Sequence, residues 1–196
     1  MPAGESWRLF FAVELPAEIR ERAFDLGRRI SHTLDQVIKW VEVENLHITL
    51  KFLGAVPVER VAEALEVGRK AAKLGRVAEL SLGGIGAFPS PRNVRVLWVG
   101  VGGEVEVLAQ VAAELERLSA EAGLAPPEDR PFRAHLTIGR VRRGMRVPDL
   151  SNAFAELGEA PVGRVRVEDF VLMRSHLSRH GPTYEVVERF RLGGKH

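Results

Sequence analysis

The chain has 196 residues, 45% of them hydrophobic and 28% charged, with a formal net charge of +2, which allows a sizeable core and argues against a disordered segment. It has no Cys. That removes disulfide frameworks, thiolate metal sites and a Cys nucleophile, and a cytoplasmic protein is expected. No apolar run reaches membrane-spanning length, and "MPAGESWRLFFAVELP" lacks the basic and long apolar regions of a signal peptide.

In chain order, "WRLFFAVELP" reads as a strand stopped by Pro16. "AEIRERAFDLGRRISHTL" is helical, with Ile19, Ala23, Leu26 and Ile30 on one face. "IKWV" and "NLHITLKFLG" are strands. "PVERVAEALEVGRKAAKL" starts a helix with Pro57 in its first turn. "VAELSLGGIGAFP" and "VRVLWVGV" are strands joined by the turn "SPRN", and "EVEVLAQVAAELERLSAEAG" is a long amphipathic helix closed by Gly123. After the loop "APPEDR" come a strand, "FRAHLTIGRV", and a short helix, "PDLSNAFAEL". Two closing strands, "RVRVEDFVLMRS" and "TYEVVERFRL", flank the loop "HLSRHGP". Strand following strand implies antiparallel pairing, so the fold class is α+β. "LHITLKFLG" and "AHLTIGR" occupy comparable places, each near a long helix, which implies two lobes of similar plan with no linker between them.

These two segments share a His-apolar-Thr-apolar pattern. Six His and four Thr in 196 residues predict roughly 0.1 His-x-Thr matches by chance. Two are present. Strand alternation places His47, Thr49 and Lys51 on one face, with Leu46, Ile48, Leu50 and Phe52 on the core face. It likewise places His135 and Thr137 together, about 7 Å apart along the strand. A lone pair of this kind is the polar face of a half-buried strand; two such pairs point to chemistry.

Two imidazoles can act as base and acid on either side of a phosphorus, because their ordinary pKa lies near neutrality. Thr hydroxyls can hold the non-bridging oxygens. Residues 130 to 146 add Arg130, Arg133, Arg140, Arg142, Arg143 and Arg146 with no acidic residue, a local field suited to phosphate. A zinc site is the main rival, but its spacing signatures and a third ligand are missing. A Ser/His/Asp hydrolase lacks Gly-x-Ser-x-Gly. The clusters "LGGIGAF" and "GVGGE" lack nucleotide-loop spacing and read as turns and bulges.

"RLFFAVELP", "WVEVENLHITLKFLG", "PFRAHLTIGR" and "VLMRSHLSRHGPTYEVV" together resemble the two-histidine phosphoesterases, in particular the RNA 2′,3′-cyclic phosphodiesterases, also called 2′-5′ RNA ligases. The resemblance spans nearly the whole chain. It implies one bilobal domain over residues 1–196, with two antiparallel sheets and flanking helices around a central cleft, the two motif strands related by a pseudo-twofold. It implies hydrolysis of RNA 2′,3′-cyclic phosphate ends to 2′-phosphates, with His47 as proton donor and His135 as proton acceptor. Thr49, Thr137 and Arg140 would bind phosphate. Strict alternation puts Arg140 on the face opposite His135, so a bulge or strand end at Gly139 is needed to bring it round. No cofactor and no metal are expected. RNA 3′ ends, tRNA-derived ones among them, are the expected partners, no membrane is involved, and a monomer is the expected state.

The residue chemistry leaves the acid and base assignment open. It also leaves open ATP-independent 2′-5′ ligation as a reverse or side reaction, a small cyclic nucleotide as substrate, and a non-catalytic module that binds RNA ends. Lys51, Phe132 and Arg133 are candidates for RNA contact; Lys51 reads equally as a solvated strand residue and Phe132 as a packed core aromatic. Trp40 is ambiguous in the same way. His176 and His180 read as surface loop residues, His32 lies near a helix end, and His196 is terminal with no assigned role.

Overall fold

The computed structural model describes residues 5–30, 32–178 and 181–193. Short apolar alternation produces nine strands among these residues: β1 (Ser6–Glu14), β2 (Ile38–Trp40), β3 (His47–Pro57), β4 (Ala78–Ser90), β5 (Asn93–Gly103), β6 (His135–Val141), β7 (Pro161–Val167), β8 (Asp169–Ser178) and β9 (Gly181–Arg191). Longer 3.6-residue periodicity produces α1 (Ala17–Arg28), α2 (Val61–Leu74), α3 (Val105–Glu121) and α4 (Ser151–Leu157). Every strand pairing is antiparallel, as the α+β reading expects.

The strand order is β7-β4-β5-β6-β3-β1-β8-β9, with β2 added alongside β6. The two motif strands, β3 and β6, meet in the middle through one residue pair, Ile48 with Leu136. The expected two sheets are therefore the halves β7-β4-β5-β6 and β3-β1-β8-β9 of one curled sheet, joined at a single point. Each motif strand is the inner strand of its half, which gives the pseudo-twofold plan.

One face of the sheet carries the core. β1 contributes Leu9, Phe11 and Val13, β8 contributes Phe170 and Leu172, and β5 contributes Leu97 and Val99. Helix α1 follows β1 but packs behind β4, β5 and β7, whereas α2 packs behind β8 and β9 and α3 behind β3. Each half is thus backed by helices reached by crossing over, which seals one continuous core. The opposite face is left open, with a small cluster of Phe10, Ala12, Val171, Met173 and Tyr184 on it.

Several expectations are corrected. "RVRVEDFVLMRS" is two strands rather than one, broken at Glu168. β7 buries Val165 and Val167, whereas β8 buries Phe170 and Leu172, so the alternation slips by one residue and the two strands leave for opposite edges of the sheet. The first helix ends at Arg28, where the chain tightens and the Ile30 N–H donates to the Gly27 carbonyl at 3.2 Å. His176 lies in β8 rather than in a loop, its Nε2 2.8 Å from Glu185 Oε2 on β9. His180 and His196 lie outside the described residues, as does the side chain of His32. Trp40 is half-buried, packs edge-on to Phe24, and donates from Nε1 to Asp35 Oδ1 at 2.8 Å, so its role is structural.

Candidate active site

The motif strands are built alike. His47 opens β3, and its Nδ1 lies 2.7 Å from the carbonyl of Asn45, two residues back. His135 opens β6, and its Nδ1 lies 2.6 Å from the carbonyl of Arg133, again two residues back. A carbonyl only accepts, so each Nδ1 carries the proton and each neutral ring keeps its lone pair on Nε2. The His47 Nε2 lies 3.1 Å from Thr49 Oγ1. In antiparallel register, the neighbours of the Ile48–Leu136 pair set His47 opposite Thr137 and Thr49 opposite His135. Both His-Thr pairs therefore flank the seam on the open face.

A bulge follows the Thr in each strand. In β6, Leu97 of β5 faces Gly139 while Trp98 faces Thr137, so Ile138 is the extra residue. Ile138 and Gly139 are both buried, and alternation resumes with Arg140 on the histidine face. This is the bulge that Arg140 required. Gly139 permits it, because a Cβ there would meet Ile38 Cγ2 at 2.7 Å. In β3 the extra residue is Leu50, between Phe11 facing Lys51 and Ala12 facing Thr49.

The β3 bulge overturns two expectations. Lys51 turns to the core side, is only 2% exposed, and pairs through Nζ with Glu116 Oε2 at 2.7 Å and Glu128 Oε1 at 3.4 Å. It also donates to the Pro126 carbonyl at 3.2 Å. It cannot reach RNA and instead ties β3 to α3 and to the loop that leads into β6. Phe52 turns outward, 53% exposed, with its ring 5.7 Å from Phe10. It belongs to the open face and not to the core.

Aromatic rings wall each histidine. Phe10 lies 4.9 Å from His47, and Tyr184 meets His47 edge-on at 5.2 Å. Phe88 meets His135 edge-on at 5.2 Å. Trp98 covers Gly86, where a Cβ would lie 2.1 Å from the indole. Its Nε1 is buried without a hydrogen-bond partner. Phe132 is half-buried and packs against the core, in keeping with its packed-aromatic reading, and the exposed Arg133 holds its guanidinium 5.3 Å from the Phe88 ring centre. Arg130, Arg142, Arg143 and Arg146 are exposed beyond the immediate site.

The electrostatics are unequal. Burial lowers the pKa of His47 below its ordinary 6.5. The Asn45 hydrogen bond opposes that shift, Arg140 reinforces it, and Glu14 opposes it. Burial likewise lowers His135; the Arg133 carbonyl opposes, and the charges of Arg140 and Arg133 both reinforce. One guanidinium, Arg140, thus acts on both imidazoles. Burial raises the Tyr184 phenol, keeping it protonated, although Arg140 opposes the shift.

Sequence reasoning identified His47, Thr49, His135, Thr137 and Arg140, and the structure brings them to one face. It missed Glu14, Phe10, Phe88, Trp98 and Tyr184. Tyr184 is the only Tyr in the chain, and Glu14 follows the apolar run of residues 9–13; residue type marked both, but not their place beside His47. Among the described residues no three His, Cys, Asp or Glu side chains cluster as metal ligands, and no helix is long and apolar enough to cross a membrane.

Comparison with known proteins gives a consistent picture. A model of the family described as LigT like Phosphoesterase matches residues 13–98 and 100–184. An RNA 2′,3′-cyclic phosphodiesterase of Methanothermobacter thermautotrophicus is 36% identical over 188 residues, covering 94% of this chain and 98% of its own length. One from Aeropyrum pernix is 38% identical over 161 residues, covering 81% and 88%. The crystal structure of E. coli LigT complexed with 3′-AMP superposes with a TM-score of 0.77 at 27% identity, covering 97% of this chain and all of that one.

Proposed function

The chain belongs to the LigT-like phosphoesterase family, and on that premise we propose that it opens RNA 2′,3′-cyclic phosphate ends to 2′-phosphates by metal-independent acid–base catalysis. The observation that carries this reading is the matched pair of imidazoles. Each is held through Nδ1 by the carbonyl two residues before it and presents Nε2 to the same open face, with the charge of Arg140 acting on both.

The His135 Nε2 takes a proton from water as the water oxygen bonds to phosphorus. The bond from phosphorus to the 3′ oxygen breaks, and protonated His47 gives its Nε2 proton to that oxygen. The products are a 2′-phosphate and a 3′-hydroxyl, and the two rings exchange protons with solvent to reset. Thr49, Thr137 and Arg140 hold the non-bridging oxygens and stabilise charge building on them. The assignment of roles is the one the family resemblance implies. Burial is the largest influence on both rings and lowers both; the difference between them lies in the smallest influences, Glu14 favouring the charged form of His47 and the Arg133 guanidinium favouring the neutral form of His135. The substrate's negative charge, once bound between the rings, favours protonation in the same direction as Glu14.

The residues needed all come from one chain, so residues 1–196 act as one catalytic unit and a monomer suffices. The partners are RNA 3′ ends, tRNA fragments among them, in the cytoplasm. Attack by a 5′-hydroxyl in place of water gives 2′-5′ ligation by the same steps, without ATP.

The test is an oligonucleotide ending in a 2′,3′-cyclic phosphate, incubated with the protein in EDTA. Release of 2′-phosphate ends is expected. Each of His47→Ala and His135→Ala should cut kcat/KM by about 10²–10⁴. Undiminished turnover by either variant, or dependence on added metal, would sink the mechanism.

A further inference from the structure

A recess of about 430 Å³ opens beside His135, away from the His47 wall. That is within the range of about 300–1,000 Å³ found for small-molecule sites. Phe88, Trp98, Gly100, Ala109, Phe132 and Arg133 line it. The Phe88 and Trp98 rings lie 5.3 Å apart, inclined by 38°, and the Arg133 guanidinium sits 5.3 and 5.8 Å from their centres. Flat aromatic walls and a planar cation at the mouth are the surfaces on which nucleobases stack. Glu106, exposed and 3.8 Å from Arg76 Nη2, also shares the lining, and the rest of the wall is mostly apolar, which suits a neutral base.

Hydrolysis by water has no need of this recess. In-line displacement puts the attacking and leaving oxygens on opposite sides of the phosphorus. The leaving 3′ oxygen belongs to the donor ribose, which places the donor nucleoside on the His47 side. Whatever is attached to the attacking oxygen must then extend behind His135, and the recess is what lies there.

We propose that the recess beside His135 is an acceptor subsite, which binds the terminal nucleoside of a 5′-hydroxyl RNA end and directs its oxygen to His135. The inference rests on His135 being the base. The step balances as hydrolysis does: the 5′ oxygen loses its proton to His135 and bonds to phosphorus, while the 3′ oxygen leaves with a proton from His47. A 2′-5′ phosphodiester forms and no energy source is consumed, because the cyclic bond that breaks drives the one that forms.

The experiment offers the wild-type protein a cyclic-phosphate oligomer with increasing amounts of a 5′-hydroxyl dinucleotide, and measures joined against hydrolysed product. A bound acceptor predicts a ratio that rises and then levels off, whereas glycerol, an alcohol without a base, gives only a straight line. Ala109→Phe fills the recess from α3 without touching a phosphate ligand. It should lower the initial slope for the dinucleotide about tenfold, equivalent to about 1.4 kcal/mol, with hydrolysis kept within about twofold of wild type. A straight line for the dinucleotide, no joined product beside intact hydrolysis, or a slope that survives Ala109→Phe would overturn the subsite. Absence of hydrolysis by the wild-type chain would overturn the underlying assignment and the subsite with it.

Discussion

In β3 the run from His47 to Leu50 ends in a bulge, and past it Phe52 reaches the open face. In β6 the run from His135 to Ile138 ends in a bulge at the matching position, and past it Arg140 reaches the open face. The residue turned inward also differs. Lys51 spans to Glu116 and Glu128, whereas Gly139 makes room for Ile38. The backbone frame is thus duplicated while the charges around it are not. Duplication sets both Nε2 atoms at like positions about the seam. In the proposed mechanism the asymmetry has a different use: acid–base catalysis needs one imidazole charged and the other neutral, and two identical sites would share the proton equally.

The largest break in this comparison comes from Arg140→Ala. Loss of one donor to the developing charge should lower kcat/KM by about 10²–10³. Arg140 also lowers both histidine pKa values, so the acidic and basic limbs of the kcat/KM profile should both move to higher pH. A rate loss with unmoved limbs would assign Arg140 to RNA binding alone. Lys51→Met tests the structural half of the comparison. It leaves Glu116 and the 126–128 loop without their buried cation, and should cost about 3 kcal/mol in urea unfolding, at the lower end for a broken buried pair because both carboxylates keep contact with water. A loss below about 0.5 kcal/mol would show that the ion pair is dispensable.

Glu14→Gln probes the smallest difference. Glu14 favours protonated His47, so its removal should shift the basic limb of kcat/KM to lower pH and reduce the rate at pH 8 about threefold, by less than one pKa unit. The acidic limb, set by neutral His135, should hold its place. Movement of the acidic limb instead would exchange the roles of the two histidines.

Much of this was legible in the sequence because it lies in residue type and period two. His47, Thr49, His135 and Thr137 alternate with core residues and share a face as alternation requires. Arg140 was legible only as a question, and Lys51 and Phe52 were read onto the wrong faces, since a bulge inverts every later side chain and has no strong local code. For Arg140 the glycine before it was a hint; for Lys51 no glycine marked the turn. The break at Glu168 could have been read from the phase slip between Val167 and Phe170. Which aromatics wall each histidine could not, because Tyr184 reaches His47 through long-range strand order, and the order of strands is not a local property.

That strand order also governs when the molecule becomes an enzyme. The half-sheet holding His47 takes β1 and β3 from the start of the chain and β8 and β9 from its end, with the His135 half made in between. Asn45, whose carbonyl orients His47, donates its side-chain N–H to the Pro182 carbonyl at 2.9 Å. A nascent chain on the ribosome already carries both histidines when residue 135 has emerged, yet lacks the strands that wall and brace the first. Contacts so distant in sequence close late, so β8 and β9 must be made before His47 is held in place. Opening of 2′,3′-cyclic phosphate ends is therefore expected only once β8 and β9 have been made and paired.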